Sequence, residues 1–108
     1  MIRTPDTDLH VPALCDVEVA AGMRRGLLGG IVSAERVAEA IDDYLDLPLT
    51  RHGHQGLLAR ILDLRKNFSA YDATYVALAE RLEGNLLTGD QSLARAARTH
   101  THVTVAIG

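Results

Sequence analysis

Short apolar runs alternate along this chain with longer segments in which apolar positions recur every three or four residues. The short runs predict strands and the longer segments predict amphipathic helices. Strands are predicted at His10–Val11, Leu49–His52, Leu86–Thr88 and Val103–Ile107. Helices are predicted at Ala13–Arg25, between Ser33 and Pro48, at Leu57–Lys66, from Ser69 to Gly84, and at Ser92–Arg98. This alternation indicates an α/β fold with a short parallel sheet and helices on both faces, a three-layer α/β/α arrangement. Residues 1–8 are polar apart from the first two and contain Pro5, so we expect an irregular N-terminal stretch.

The length of 108 residues limits the chain to one domain, residues 1–108. Apolar residues make up 47%, but only one Phe, three Tyr and no Trp contribute rings, so Leu, Val, Ile and Ala must build the core. Eleven basic against fourteen acidic side chains give a net charge of −3. A protein that bound nucleic acid mainly through its overall charge would be basic.

Cys15 is the single cysteine, so an internal disulfide is impossible and a reducing compartment is expected. The first residues are too polar for a signal peptide, and no apolar run is long enough to cross a membrane. We therefore expect a cytoplasmic protein without membrane association.

Three carboxylates lie in surroundings that a surface position does not explain well. Glu18 has Leu14 and Cys15 one turn before it and small residues one turn after it, with no Lys or Arg at helical pairing distance. A charge beside an apolar stripe needs a partner. Glu18 is interpreted equally well as a boundary residue that reaches water or as a coordinated ligand.

Asp72 and Asp90 each have a simpler structural interpretation. Asp72 follows Ser69 by three residues, which is a capping-box pattern, and this favours a capping role from the residues alone. Asp90 follows the buried strand that ends at Thr88 and can cap the helix that begins near Ser92. However, the loop after a parallel strand is also where α/β proteins bind ligands.

The basic and histidine residues give weaker signals. The pairs His52 with His54 and His100 with His102 lack Cys or acidic residues at ligand spacing, so surface or loop histidines are the expected interpretation. Arginines near a nuclease site would be candidate phosphate contacts, but the sequence assigns none of them.

Three segments together resemble VapC-type PIN-domain ribonuclease toxins. Pro12–Ala20 is similar to the helix that carries a metal-site Glu in that family. Ser69–Glu80, with the sequence SAYDATYVALAE, resembles its S-x-Y-D-A-x-Y-v-A-L-A-E segment, and Leu86–Leu93 resembles its strand ending in L-T-x-D. The resemblance extends from His10 to nearly the end of the chain.

This resemblance implies a metal-dependent endoribonuclease that is controlled by a cognate antitoxin. Glu18, Asp72 and Asp90 would be catalytic and would bind one or two Mg²⁺ or Mn²⁺ ions, and Thr88 would support the site by hydrogen bonding. It also implies an RNA substrate, a VapB-type antitoxin and a homodimer. Oxygen-only ligands favour such hard ions over Zn²⁺.

One departure from the family leaves a second function open. PIN domains begin with a strand that ends in Asp, in a pattern like V-D-x-S, followed by a helix, and neither precedes Glu18 here. We expect this first strand to be missing and the sheet to be gapped or distorted at its centre. The alternative function is therefore a truncated or inactive PIN-like module that binds an antitoxin or dimerises without cleaving RNA.

Overall fold

A computed structural model describes residues 1–6 and 8–107. Five strands, a 3₁₀ turn and five helices follow one another along the chain: β1 (Ile2–Arg3), β2 (Leu9–Pro12), α1 (Leu14–Leu28), α2 (Ala34–Asp46), β3 (Leu49–His52), the turn Gln55–Leu57, α3 (Leu58–Asp63), α4 (Ala70–Leu82), β4 (Asn85–Thr88), α5 (Gln91–His100) and β5 (Val105–Ile107). They form two compact units, one of Met1–Ala13 with Leu49–Gly108 and the other of Leu14–Pro48. Among the described helices, none combines the length and apolar character needed to cross a membrane.

The first unit contains a five-stranded mixed sheet in the order β3-β2-β1-β4-β5. β2 pairs parallel with β3, and β4 pairs parallel with β5, whereas β1 lies between β2 and β4 and runs antiparallel to both. Ile2 is opposite His10 on one side and Leu86 on the other. Four strands therefore point the same way, and their carboxyl ends meet at one edge of the sheet.

β1 corrects two of the predictions. Residues 1–8 were expected to be irregular and the sheet to be gapped or distorted at its centre, but Ile2–Arg3 forms a paired strand at that central position (Thr7 lies outside the described residues). The Ile2 side chain is 0% exposed, and Leu87 N donates to Met1 O over 2.7 Å. Backbone groups at the centre of the sheet are thus paired, and the sheet is mixed rather than fully parallel. A strand of two residues is too short to show alternation in the sequence.

The core of this unit is built around α4. Ala73, Val76, Ala77, Leu78 and Ala79 are at most 2% exposed, so the helix is buried on most of its circumference. Such a helix carries small and apolar residues all round rather than a single stripe. Around it pack residues from β1, the 3₁₀ turn, α3 and the segment after it, β4 and α5, chiefly Ile2, Leu57, Ile61, Leu64, Phe68, Leu86, Leu93 and Ala97.

A tight turn connects α4 to β4. Glu83 has a left-handed backbone (φ 51°, ψ 38°), and Gly84 N donates to Ala79 O over 3.0 Å, as in a Schellman motif. The sequence predicted a helix that ends at Gly84, yet the left-handed position falls on Glu83. A Cβ on Gly84 would lie 2.6 Å from Ile2 Cγ2, so close packing against β1 fixes the glycine there instead.

The second unit consists of α1 and α2. The left-handed Gly30 (φ 68°) follows α1, and Ser33 Oγ accepts from Arg36 N over 3.2 Å to begin α2. The Tyr44 hydroxyl donates to Asp16 Oδ1 over 2.7 Å and links the two helices. Burial raises the pKa of Tyr44, and the hydrogen bonds that its hydroxyl donates to Cys15 Sγ and Asp16 raise it further. Cys15 is buried and free.

Candidate functional site

Asp90 lies directly after the carboxyl end of β4 and begins α5. Its Oδ1 accepts from Ser92 N over 2.9 Å and from Leu93 N over 3.1 Å, which makes it the N-cap. Its own backbone N–H donates to Thr88 Oγ1 over 3.0 Å. Both capping bonds end on the same oxygen, so Oδ2 of this exposed side chain remains available to a cation. The cap that the sequence predicted is therefore present and does not occupy the whole carboxylate.

Asp72 lies in the first turn of α4. The Ser69 side chain caps this helix by accepting from Asp72 N over 3.1 Å, as the capping-box pattern indicated. The Asp72 side chain is half-buried, and most of the residues from Ala73 to Ala79 are buried. A carboxylate here is stabilised by the positive end of the helix dipole.

The connection between α4 and β4 brings these two residues to the same end of the unit. Only Glu83 and Gly84 separate the helix from the strand, so the chain reverses and α4 runs back along β4. Thirteen helical residues span about 19 Å and four strand residues about 13 Å. The first turn of α4, with Asp72, therefore extends past the carboxyl end of β4, where Thr88 and Asp90 lie.

Glu18 belongs to the other unit. It is exposed on α1, in the second turn, two residues after the Asp16 that accepts the Tyr44 hydrogen bond. Its predicted convergence with Asp72 and Asp90 stays a prediction.

The metal site that the family resemblance implies can be compared with these donors. Across residues 1–6 and 8–107, no three His, Cys, Asp or Glu side chains form a group that could hold a metal ion. The donor atoms that Asp72 and Asp90 offer are nevertheless oxygens: two carboxylates, with the Thr88 hydroxyl holding the Asp90 backbone. Hard cations such as Mg²⁺ and Mn²⁺ prefer this donor chemistry. The residues present therefore fit such an ion, with a third ligand still to be supplied.

The sheet contains a histidine pair that the sequence did not predict. His10 Nδ1 and His52 Nε2 share a hydrogen bond of 2.9 Å between β2 and β3, and His10 Nε2 is 3.4 Å from Thr4 Oγ1. Burial lowers the pKa of His52, and the positive charges of His10 and Arg81 lower it further.

His52 ends β3, as the predicted strand placed it, but it is half-buried rather than on the surface, whereas His100 and His102 are exposed as expected. In the sequence, only the alternation of His10 with Val11 and of His52 with Arg51 could have placed both rings on the same face of the sheet.

Comparison with known proteins identifies the family. The model of the PIN domain matches residues 2–99, so the match includes β1 and gives no support to a missing first strand. The chain is 41% identical over 97 residues to ribonuclease VapC9 of Mycobacterium tuberculosis, covering 90% of this chain and 76% of the relative. A VapC ribonuclease of Mycobacterium bovis matches with the same identity and coverage. Ribonuclease VapC3 of Mycobacterium tuberculosis is 38% identical over 94 residues, covering 87% of this chain and 69% of the relative. The α/β architecture, the acidic residues that follow β4 and begin α4, and these matches together show that the chain belongs to the PIN-domain family, among the VapC ribonucleases.

Proposed function

We propose that this protein is a metal-dependent endoribonuclease, the toxin of a toxin–antitoxin pair, which acts in the cytoplasm with Glu18, Asp72 and Asp90 as its catalytic metal ligands. The observation that supports it most is the carboxyl edge of the sheet. There the chain reversal brings the first turn of α4 to the end of β4, and Asp90 caps α5 through one oxygen only.

The residues at this edge have separate tasks. Asp90 offers Oδ2 to the ion, and Thr88 holds the backbone of Asp90 in place by accepting its N–H. Asp72 contributes a second carboxylate, and two carboxylates about 4 Å apart repel by roughly 4 kcal/mol at an effective dielectric near 20, which a cation between them reverses. A bound Mg²⁺ or Mn²⁺ would supply an activated water for attack on the phosphodiester and would stabilise the leaving oxygen.

Cleavage of RNA by the purified chain tests this function. We expect cleavage of a labelled single-stranded RNA with Mg²⁺ or Mn²⁺ and none with EDTA. Asp72→Asn, Asp90→Asn and Glu18→Gln should each lower the rate by about a hundred-fold or more, because each removes an anionic ligand. Asp63→Asn, at an exposed acid at the end of α3, is the matched control and should cleave normally. Cleavage that persists in EDTA or in Asp90→Asn would contradict the proposal.

A second candidate is a PIN-like module that binds an antitoxin or a second copy of itself without cutting RNA. A different observation favours it: large apolar side chains are exposed on residues 14–48, including Leu28 at 71%, Ile31 at 82% and Leu45 at 63%. Exposed apolar groups in such number mark surfaces for protein partners. The ribonuclease proposal includes the same two partners, a VapB-type antitoxin and a homodimer, so binding alone does not separate the two candidates.

Two measurements together separate them. Light scattering reports the oligomeric state, and co-purification with the product of a neighbouring antitoxin gene reports the partner. Binding without any metal-dependent cleavage would favour the inactive module, and binding that suppresses cleavage would favour the toxin. A monomer that binds no antitoxin would contradict the proposed partners.

A further inference from the structure

The segment that follows Asp90 has an unusual charge pattern. All fourteen acidic residues of the chain lie at or before position 90. From Gln91 onward the charged side chains are Arg95 and Arg98, with His100 and His102 as the only other titratable side chains. In a chain of net charge −3, this is a locally positive segment, and α5 carries most of it.

The two arginines lie on one face of α5. Gln91, Arg95 and Arg98 follow one another at intervals of four and three residues, which places them in a row along the helix. Together with Ala94 and Thr99 they line a groove of about 250 Å³, hereafter the α5 groove. Both arginines are exposed. Arg98 Nη2 donates to Val105 O over a long 3.4 Å, and within the described residues neither guanidinium has a carboxylate partner.

The α5 groove begins at the candidate active site. Asp90 is the N-cap of α5, so a rise of 1.5 Å per residue puts Arg95 about 7.5 Å and Arg98 about 12 Å along the axis from it. The arginines thus lie roughly one and two helical turns along the axis from the candidate metal ligand.

We propose that the α5 groove binds the phosphates of single-stranded RNA next to the bond that is cut, with Arg95 and Arg98 as the phosphate contacts and Gln91 as an amide donor. This inference rests on the ribonuclease function proposed above and specifies where its substrate lies. Arginine presents a planar set of N–H donors that fits phosphate oxygens in a bidentate manner. A chain with negative overall charge needs such a local patch to hold RNA.

The lining of the groove favours RNA over a protein partner. None of the described residues that line it has a large apolar side chain, since Ala94 is accompanied there by four residues with polar or charged side chains. Protein interfaces usually depend on large aromatic or aliphatic anchors, and this groove offers no pocket for one.

RNA binding measured without cleavage tests the groove separately from catalysis. Fluorescence anisotropy of a labelled twelve-nucleotide single strand (about that length suffices to span the groove), in EDTA and over a series of salt concentrations, measures affinity and salt dependence. For the double variant Arg95→Gln with Arg98→Gln we expect affinity to fall about ten-fold or more. The slope of log K against log salt should fall by about 1.4, since each phosphate contact contributes about 0.7 for a single strand.

The control removes the same charge elsewhere. Arg65→Gln with Lys66→Gln neutralises two exposed basic residues after α3 and should change affinity by less than about two-fold. Circular dichroism should show unchanged melting for both double variants. If the α5 double variant does not fold, Arg95→Gln alone retains the Arg98 bond to β5 and should lower the slope by about 0.7.

Cleavage assays with the same variants separate this inference from the proposed function. With Mg²⁺ we expect the α5 double variant to raise KM about ten-fold with kcat nearly unchanged, whereas Asp90→Asn should remove kcat. An α5 variant that matches the control in affinity, slope and KM would overturn the groove proposal while the ribonuclease function stands. Loss of affinity in a chain that never cleaves RNA would support the groove and overturn the ribonuclease function.

Discussion

Substitution of Asp90 separates its two roles, since it caps α5 and is a proposed metal ligand. Asp90→Ala removes the Oδ1 acceptor from the N–H groups of Ser92 and Leu93, which lie 2.9 and 3.1 Å from it. Loss of an N-cap acceptor costs about 0.5–2 kcal/mol. For a domain of this size, about 1 kcal/mol corresponds to a fall in Tm of roughly 4–8 °C. Asp90→Asn keeps an acceptor oxygen and loses only the charge near the helix dipole, about 0.3–1 kcal/mol.

The two variants should therefore differ in stability and agree in activity. Thermal unfolding followed by circular dichroism should show a larger loss of Tm for Asp90→Ala than for Asp90→Asn, and both should lose metal-dependent cleavage. Glu35→Gln, in the first turn of α2, provides a control that removes a similar charge from a helix start without removing a cap. Full cleavage by Asp90→Asn at a normal Tm would reduce Asp90 to a cap and refute its role as a ligand.

Three further predictions concern the fold. The lowered pKa of His52 means that the folded state prefers the neutral ring, so the free energy of unfolding should be highest above about pH 6.5 and fall below it. Urea unfolding from about pH 8 to pH 5 should show this decline, and a His52→Gln variant should flatten it. An equal decline in both proteins would contradict the role of the pair with His10. Gly84→Ala should destabilise the protein by about 2 kcal/mol or more, because the added Cβ would overlap the Ile2 side chain, and an unchanged urea midpoint would contradict this packing. Glu83→Gly should stabilise it by about 1 kcal/mol by relieving the left-handed backbone, and a lower Tm would argue against that conformation.

The sequence predicted most of the elements because their signals are local. Ser33 and Ser69 cap the helices that they were expected to begin, and β3 has the predicted bounds. The short strand β1 was missed for the opposite reason. Ile2 is apolar, but a two-residue strand has no period, and its pairing with Leu86 joins residues that are far apart in the chain. Only the tertiary structure shows that the central position of the sheet is occupied by a strand that runs against its neighbours.

The candidate site was predicted in part for the same physical reason. Asp72 and Asp90 were recognised from motifs, and the capping interpretation and the ligand interpretation competed for each of them. For Asp90 the two interpretations are compatible, since Oδ1 caps α5 while Oδ2 remains available. A residue's local role in ending or beginning a helix thus does not argue against a functional role at the same position.

The histidine pair and the α5 groove depend on tertiary structure, which local sequence patterns do not predict. His10 and His52 are 42 positions apart and meet only because β2 and β3 pair in parallel with His52 opposite Pro12. The alternation along each strand indicates a shared face, but nothing in either neighbourhood of the sequence gives the register that brings the two rings into contact. In the α5 groove the signal was present, as two arginines in a row on one helix after the last acidic residue, but arginines on an exposed helix face are ordinary. The arginines become candidates for RNA contacts because Asp90 begins the same helix, so the row extends away from the candidate active site.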